Sequence, residues 1–147
     1  MWASLIAVFG TLLGSATSFV LQQRTVRVER TEARSHEGRR ERLAAVTALV
    51  AALADHRRAM WLREDLRLAG AADAYEAARA DSHTTRSALT APLVTLELLA
   101  PELAEQAKAA ATAVYALRGA PDHASLTALR SSAIDAADAL VRQAAST

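Results

Sequence analysis

Hydrophobic and polar positions fall along this chain in three regimes. Met1 to Leu21 carries no charged side chain; Gln22 to Arg42 interleaves arginine and glutamate, with Val26 and Val28 as its larger apolar residues; from Leu43 onward apolar residues recur at helical spacing. The first regime predicts a membrane-spanning helix. Its residues would extend ~31 Å at ~1.5 Å per residue, which matches the ~30 Å hydrocarbon core of a bilayer. A cleaved signal peptide would place its positive charge before a shorter apolar core. Here Met1 to Phe9 has no Lys or Arg, and the apolar run continues past Gly14-Ser15-Ala16 through Phe19, Val20 and Leu21. A retained anchor at 1–21 is therefore the expectation.

The second regime sets the expected orientation. Between residues 22 and 42 there are seven arginines (Arg24, Arg27, Arg30, Arg34, Arg39, Arg40, Arg42) and four glutamates (Glu29, Glu32, Glu37, Glu41). Positive-inside counting puts this side in the cytoplasm, with the N-terminus outside the cell membrane. The segment is too polar to build a core and reads as a solvated helical stalk, with pairs such as Glu37 to Arg40 one turn apart and Gly38 as its weak point. Arg24, Arg27, Arg30 and Arg34 lie near enough to the span to hold anionic lipid head groups, although a topology signal and spacer is the more ordinary role. Within the span, Ala3, Ala7, Gly10, Gly14 and Thr17 line one face and include a G-x-x-x-G. Small residues let two membrane helices approach closely, so this face is a candidate for self-association into a homo-oligomer.

The third regime, 43–147, predicts four amphipathic helical segments. Leu43, Val46, Val50, Leu53 and Met60 form one stripe with Leu49 beside it, and Gly70 ends that helix. Ala71 to Ala100 carries Tyr75, Ala78, Leu89, Leu93, Leu96 and Leu99, and Pro92 should kink it or split it. Pro101 opens a third helix through Leu117, with Glu102 and Glu105 at its positive end and Arg118 at its negative end. Gly119-Ala120-Pro121 is a turn, after which Asp122 or Ser125 caps a fourth helix striped by Leu126, Leu129, Ala133, Ala137, Leu140 and Ala144. Four such segments with short links imply an antiparallel bundle, and the whole chain an all-α protein.

Composition narrows the chemistry. The chain is 52% hydrophobic but only 4% aromatic, so its apolar residues are mainly Ala, Leu and Val, and the stripes of the last two helices bury little area each. Lysine occurs once among many arginines, a bias of GC-rich bacterial genomes. With no cysteine there is no disulfide, thiolate metal site or cysteine nucleophile. His36, His56, His83 and His123 are scattered without H-E-x-x-H or acidic residues at ligand spacing, so no metal is expected. No glycine-rich phosphate loop, G-x-S-x-G or dinucleotide fingerprint is present, and the hydroxyls around His83 (Ser82, Thr84, Thr85, Ser87) suit a solvated face or local backbone acceptors better than a nucleophile. The pattern points to no enzyme and no cofactor. A net charge of +1 gives no reason to expect direct nucleic-acid binding.

The densest functional signal is Asp55-His56-Arg57-Arg58-Ala59-Met60-Trp61-Leu62-Arg63-Glu64-Asp65-Leu66-Arg67. Positions 57 and 64 continue the apolar stripe, which turns Arg57 and Glu64 toward the bundle. Two readings stand. One is an internal ion-pair network, with Glu97 as a partner for Arg57; the other is a partner-docking patch built on Trp61, Arg57 and Arg58, residue types enriched at interface hot spots.

The opening Met1-Trp2-Ala3-Ser4-Leu5-Ile6-Ala7-Val8-Phe9-Gly10-Thr11-Leu12-Leu13-Gly14, then Phe19-Val20-Leu21-Gln22-Gln23-Arg24, Arg39-Arg40-Glu41-Arg42-Leu43-Ala44-Ala45 and Arg57-Arg58 with Trp61, resembles small actinobacterial membrane proteins of the KilB-like family. The resemblance implies a role in conjugative transfer and spread of Streptomyces plasmids and integrative elements, with lethality when uncontrolled, and it carries over no catalytic residues. Two functions are then expected from different classes. One is a membrane-anchored scaffold whose cytoplasmic bundle binds a protein partner; the other is a holin-like protein whose oligomerised anchor perforates the bilayer. The long folded region favours the first.

Overall fold

The computed structural model describes the backbone from Trp2 to Ser146 and the side chains of residues 35–146. It divides into two compact units, Met1–Arg40 and Glu41–Thr147. Five α-helices are present: α1 (Trp2–Leu68), α2 (Ala72–Ala88), α3 (Thr90–Leu99), α4 (Ala104–Tyr115) and α5 (His123–Ala145), with a 3₁₀ turn at Pro101–Leu103. No strand occurs among the described residues, so the protein is all-helical. The expected span at 1–21, its face of Ala3, Ala7, Gly10 and Gly14, and Arg24, Arg27, Arg30 and Arg34 lie outside the residues whose side chains are described. Among those that are, no helix is long and apolar enough to cross a membrane. In the first unit the helix runs through Gly38 without a break, and no ion pair joins Glu37 to Arg40.

The second unit is a helical bundle, and its cross-links give the direction of each helix. Arg42 pairs with Glu102 near the start of α1's part of this unit, while Glu64 near its end accepts from the Gly119 N–H, so α1 runs parallel to α4. His56 meets Thr85 and Arg63 meets Ser82 and Tyr75, so α2 runs back along α1. His123 lies beside Asp65 at 3.3 Å and Arg130 over Trp61, which makes α5 antiparallel to α1. With α2 and α3 as one descending segment, the order is up, down, up, down.

The links between helices follow from residue chemistry. α1 ends in a Schellman motif, in which Gly70 adopts φ 72° and the Ala71 N–H reaches the Leu66 carbonyl at 3.1 Å. Pro92 does not kink a single helix; it splits the segment, and the break falls at Leu89. The proline ring would clash with the carbonyl four residues back, which is Ala88, the last residue of α2. Pro101 opens the 3₁₀ turn that leads into α4. Asp122 is the cap of α5, accepting from the Ser125 N–H at 2.7 Å.

The core is leucine at its centre and alanine at the α4–α5 contact. Leu49, Leu53, Leu89, Leu96, Leu103, Leu117, Leu126 and Leu140 are buried together with Ala107, Ala110, Ala111 and Ala133. Two expected stripe positions are corrected. Leu43 is 66% exposed and Leu99 is also exposed, whereas Leu49, expected beside the stripe, lies at its centre. Val46, Leu53, Met60 and Glu64 are buried at the expected positions, and Ala45, Leu49, His56, Ala59 and Arg63 widen the buried face of α1 beyond the apolar stripe, two of these being polar residues that a hydrophobic pattern leaves to solvent.

Candidate interaction site

Past Leu53 the inward face of α1 becomes ionic. Glu64 is 1% exposed and is the hub. Its Oε2 accepts from Arg67 Nε at 2.6 Å and from the Gly119 N–H at 3.1 Å, and its Oε1 faces Arg63 Nε at 3.6 Å. Arg67 also donates to the Ala120 carbonyl. Gly119 sits at φ 77°, a conformation glycine adopts without strain, and that turn aims its N–H at the carboxylate. The charges on the last two turns of α1 therefore hold the α4–α5 turn. Arg63 Nε and Glu64 Oε1 are buried without a hydrogen bond and face each other as an ion pair.

One turn earlier, α1 presents a different surface toward α5. Ala54, Arg57, Arg58, Trp61 and Arg130 line a cavity of about 200 Å³. The Arg130 guanidinium stands over the Trp61 ring at 5.4 Å from its centroid. Burial holds the Arg57 pKa below the ordinary arginine value, and repulsion from Arg130 and Arg58 adds to this against the opposing pull of Asp138. Arg58 is paired with Asp55 at 3.5 Å, both well exposed; among the described residues neither Arg57 nor Arg130 has a carboxylate within ion-pair distance. The result is a concave surface with three guanidinium groups around an indole, suited to a partner that brings carboxylates.

Residues 43–147 match the family model described as KilB plasmid transfer protein. Protein KilB of Streptomyces lividans is 57% identical over 146 residues, which cover 99% of this chain and 97% of that protein. The chain belongs to the KilB family. No solved structure matches it. The family match takes in the whole ionic face of α1, the Trp61 cavity and α2 to α5.

Within this KilB-family bundle the structure brings Arg57, Arg58 and Trp61 together and leaves Glu97 out. Glu97, on α3, pairs with Lys108 of α4 at 3.1 Å, so the expected Arg57–Glu97 partnership is corrected: α3 packs on α4, whereas Arg57 faces α5. Arg130 is the member of the patch that sequence reasoning missed. It follows Leu129 on the edge of the α5 stripe, which is the signal that could have found it. The internal network does exist, but around Glu64 with Arg63 and Arg67 instead of around Arg57. The hydroxyls near His83 largely bond backward to their own helix: Ser82 to the Arg79 carbonyl, Thr84 to Ala80 and Ser87 to His83. Among the described residues no group of three His, Cys, Asp or Glu side chains could hold a metal ion.

Proposed function

We propose that this protein serves plasmid transfer as a membrane-anchored, non-enzymatic interaction protein. In this reading residues 1–21 span the cell membrane with the N-terminus outside, and the arginines that follow rest on anionic lipid head groups. The bundle then lies in the cytoplasm and offers the Arg57, Arg58, Trp61 and Arg130 surface to an acidic protein of the transfer apparatus. Membership of the KilB family supports the process. The observation that carries the binding role is the concentration of three guanidinium groups around Trp61, of which only Arg58 is within ion-pair distance of a carboxylate among the described residues, while Asp138 acts on Arg57 from farther away. Arginine and tryptophan carry a large share of binding energy when a partner desolvates them.

The test is plasmid transfer by cells whose only copy of the protein carries Trp61→Ala with Arg130→Ala. Trp61 lies at the edge of the core and Arg130 is exposed, so the variant should accumulate in membranes at the parent level while transfer falls by about tenfold or more, as expected for a lost interface hot spot. Photocrosslinking from position 58 should yield one adduct in the parent background and none in the double variant. Unimpaired transfer with an unchanged adduct would refute the binding role, and recovery of the full chain in the soluble fraction would refute the anchor.

A further inference from the structure

On the opposite side of α1 from the Trp61 surface, a second and smaller cavity opens between α1, α2 and the end of α4. Its volume is about 30 Å³, and His56, Arg63, Ser82, Arg86, Tyr115 and Arg118 account for most of its lining. No Asp or Glu lines it. The floor is buried, with His56 at 1% exposed, Ser82 at 2% and Arg63 at 8%, while Arg86 and Arg118 stand exposed at the mouth. A space of this size takes roughly two water-sized groups. Two oxygens of a compact group can enter end-on while the rest of that group stays at the mouth between the two arginines, and an extended ligand is excluded.

The positive charge here is poorly compensated. Arg86 lies over the Tyr115 ring at 4.5 Å, and neither it nor Arg118 forms an ion pair among the described residues. Arg63 is 3.6 Å from a Glu64 that Arg67 already engages at 2.6 Å. Both terminal nitrogens of Arg63 are held, by Ser82 Oγ and by Tyr75 Oη at 3.4 Å each. Ser82 commits its proton to the Arg79 carbonyl at 2.7 Å, so it accepts from Arg63 and orients it.

His56 is set up in a related way. The single proton of Thr85 Oγ1 is directed to the carbonyls of Asp81 and Ser82, at 3.1 and 3.2 Å. The Thr85 oxygen therefore accepts the 2.9 Å bond from His56 Nδ1–H, which leaves Nε2 as the unprotonated nitrogen of the ring. Burial first, then Arg86 and Arg63, push the His56 pKa down from 6.5 to about 4. The groups around this ring are Arg63 on α1, His83, Thr85 and Arg86 on α2, and Tyr115 and Arg118 at the end of α4. An anion among them would offset the guanidinium charge, and Nε2 would then take up a proton and donate to it.

We propose that this cavity binds a terminal phosphate group, either inorganic phosphate or the end of a phosphate monoester, between Arg63 on its floor and Arg86 and Arg118 at its mouth. Guanidinium groups suit this ligand because their paired N–H donors match two phosphate oxygens. The site is separate from the surface under Proposed function and stands or falls independently of it.

The experiment uses the full-length chain in a non-ionic detergent, with His56 followed by NMR during titration at constant ionic strength with sodium phosphate, glycerol phosphate or sodium chloride. Saturable binding of phosphate, absent with chloride, and a His56 pKa raised from about 4 by at least a unit are expected. Phosphate and glycerol phosphate binding alike would mark a site for a terminal phosphate of either source; phosphate alone would mark an inorganic ligand. Arg118→Gln, a change at an exposed residue, should weaken binding about tenfold and Arg86→Gln likewise, with helix content unchanged. A response to phosphate no stronger than to chloride, or an affinity indifferent to both substitutions, overturns the proposal.

Discussion

Replacing Glu64 by alanine tests the ionic hub directly. The carboxylate is 1% exposed, and its removal takes the ion-pair partner from the buried Arg63 and the hydrogen-bond acceptor from Arg67 Nε and the Gly119 N–H. Breaking a buried ion pair by deleting one partner costs about 3–5 kcal/mol, and the orphaned backbone donor of the α4–α5 turn is part of that loss rather than an addition to it. We expect Glu64→Ala to lower the stability of residues 41–147 by about 4 kcal/mol, a large share of the ~5–15 kcal/mol typical of a domain. The midpoint of thermal unfolding should fall by about 20 °C. Arg67→Ala should cost less, about 1–2 kcal/mol, because that side chain is 37% exposed and water can replace part of what it gives. Replacing the two most buried charges by apolar residues of similar volume, Arg63→Met with Glu64→Leu, should be less harmful than Glu64→Ala alone: Arg67 and the Gly119 N–H lose their acceptor in both variants, but the buried Arg63 guanidinium is left without its carboxylate only in the second. Trp61 is the single tryptophan in this part of the chain, so urea unfolding followed by its fluorescence reads each variant against Glu76→Ala on the surface. If Glu64→Ala lies within about 1 kcal/mol of Glu76→Ala, a difference ordinary for a surface change, the reasoning fails.

Three further outcomes are expected. The His56 pKa is depressed in the folded state, so its contribution to stability is present above pH 6.5 and is lost as pH falls toward about 4. The loss should be about 2 kcal/mol by pH 5, and His56→Gln should remove that slope from a series of urea curves. A chain lacking Met1 to Thr25 should be soluble and strongly helical by circular dichroism, because the core formed by the described residues lies within the unit Glu41–Thr147; a coil-like spectrum at ordinary temperature would contradict this. Replacing Gly10 and Gly14 together by leucine should weaken pairing of residues 1–24 in a two-hybrid assay for membrane-helix association, since added methyl groups hold the helices apart, and an equal signal would show the G-x-x-x-G to be an accident of composition.

What the sequence made legible was whatever repeats or punctuates. The spacing of Leu126, Ala133, Ala137 and Leu140 marks the buried face of α5, and Gly70, Pro92, Pro101, Gly119 and Asp122 mark the places where the chain turns or a helix begins. Each acts within a few residues of itself, through a fixed φ, a missing donor or a side-chain cap. The position of the Leu89 break relative to Pro92 follows from the same local rule once the clash is placed at Ala88. The inward face of α1 was harder to read, because between Leu53 and Leu68 it buries His56, Arg63 and Glu64, and a hydrophobic pattern assigns such residues to solvent. What makes their burial tolerable lies far along the chain: Thr85 and Ser82 on α2 and the Gly119 N–H after α4. Register alone turns Glu64 inward, but it does not identify the partner of that carboxylate. Arg57 and Glu97 each sit beside a leucine stripe, and only the packing of α3 on α4 and of α1 on α5 decides that the lysine at 108 takes Glu97 while Arg57 is left facing Arg130. Apolar burial is non-directional and shows in one helix at a time. Polar burial has to be satisfied pair by pair, so it shows only when both members are in place.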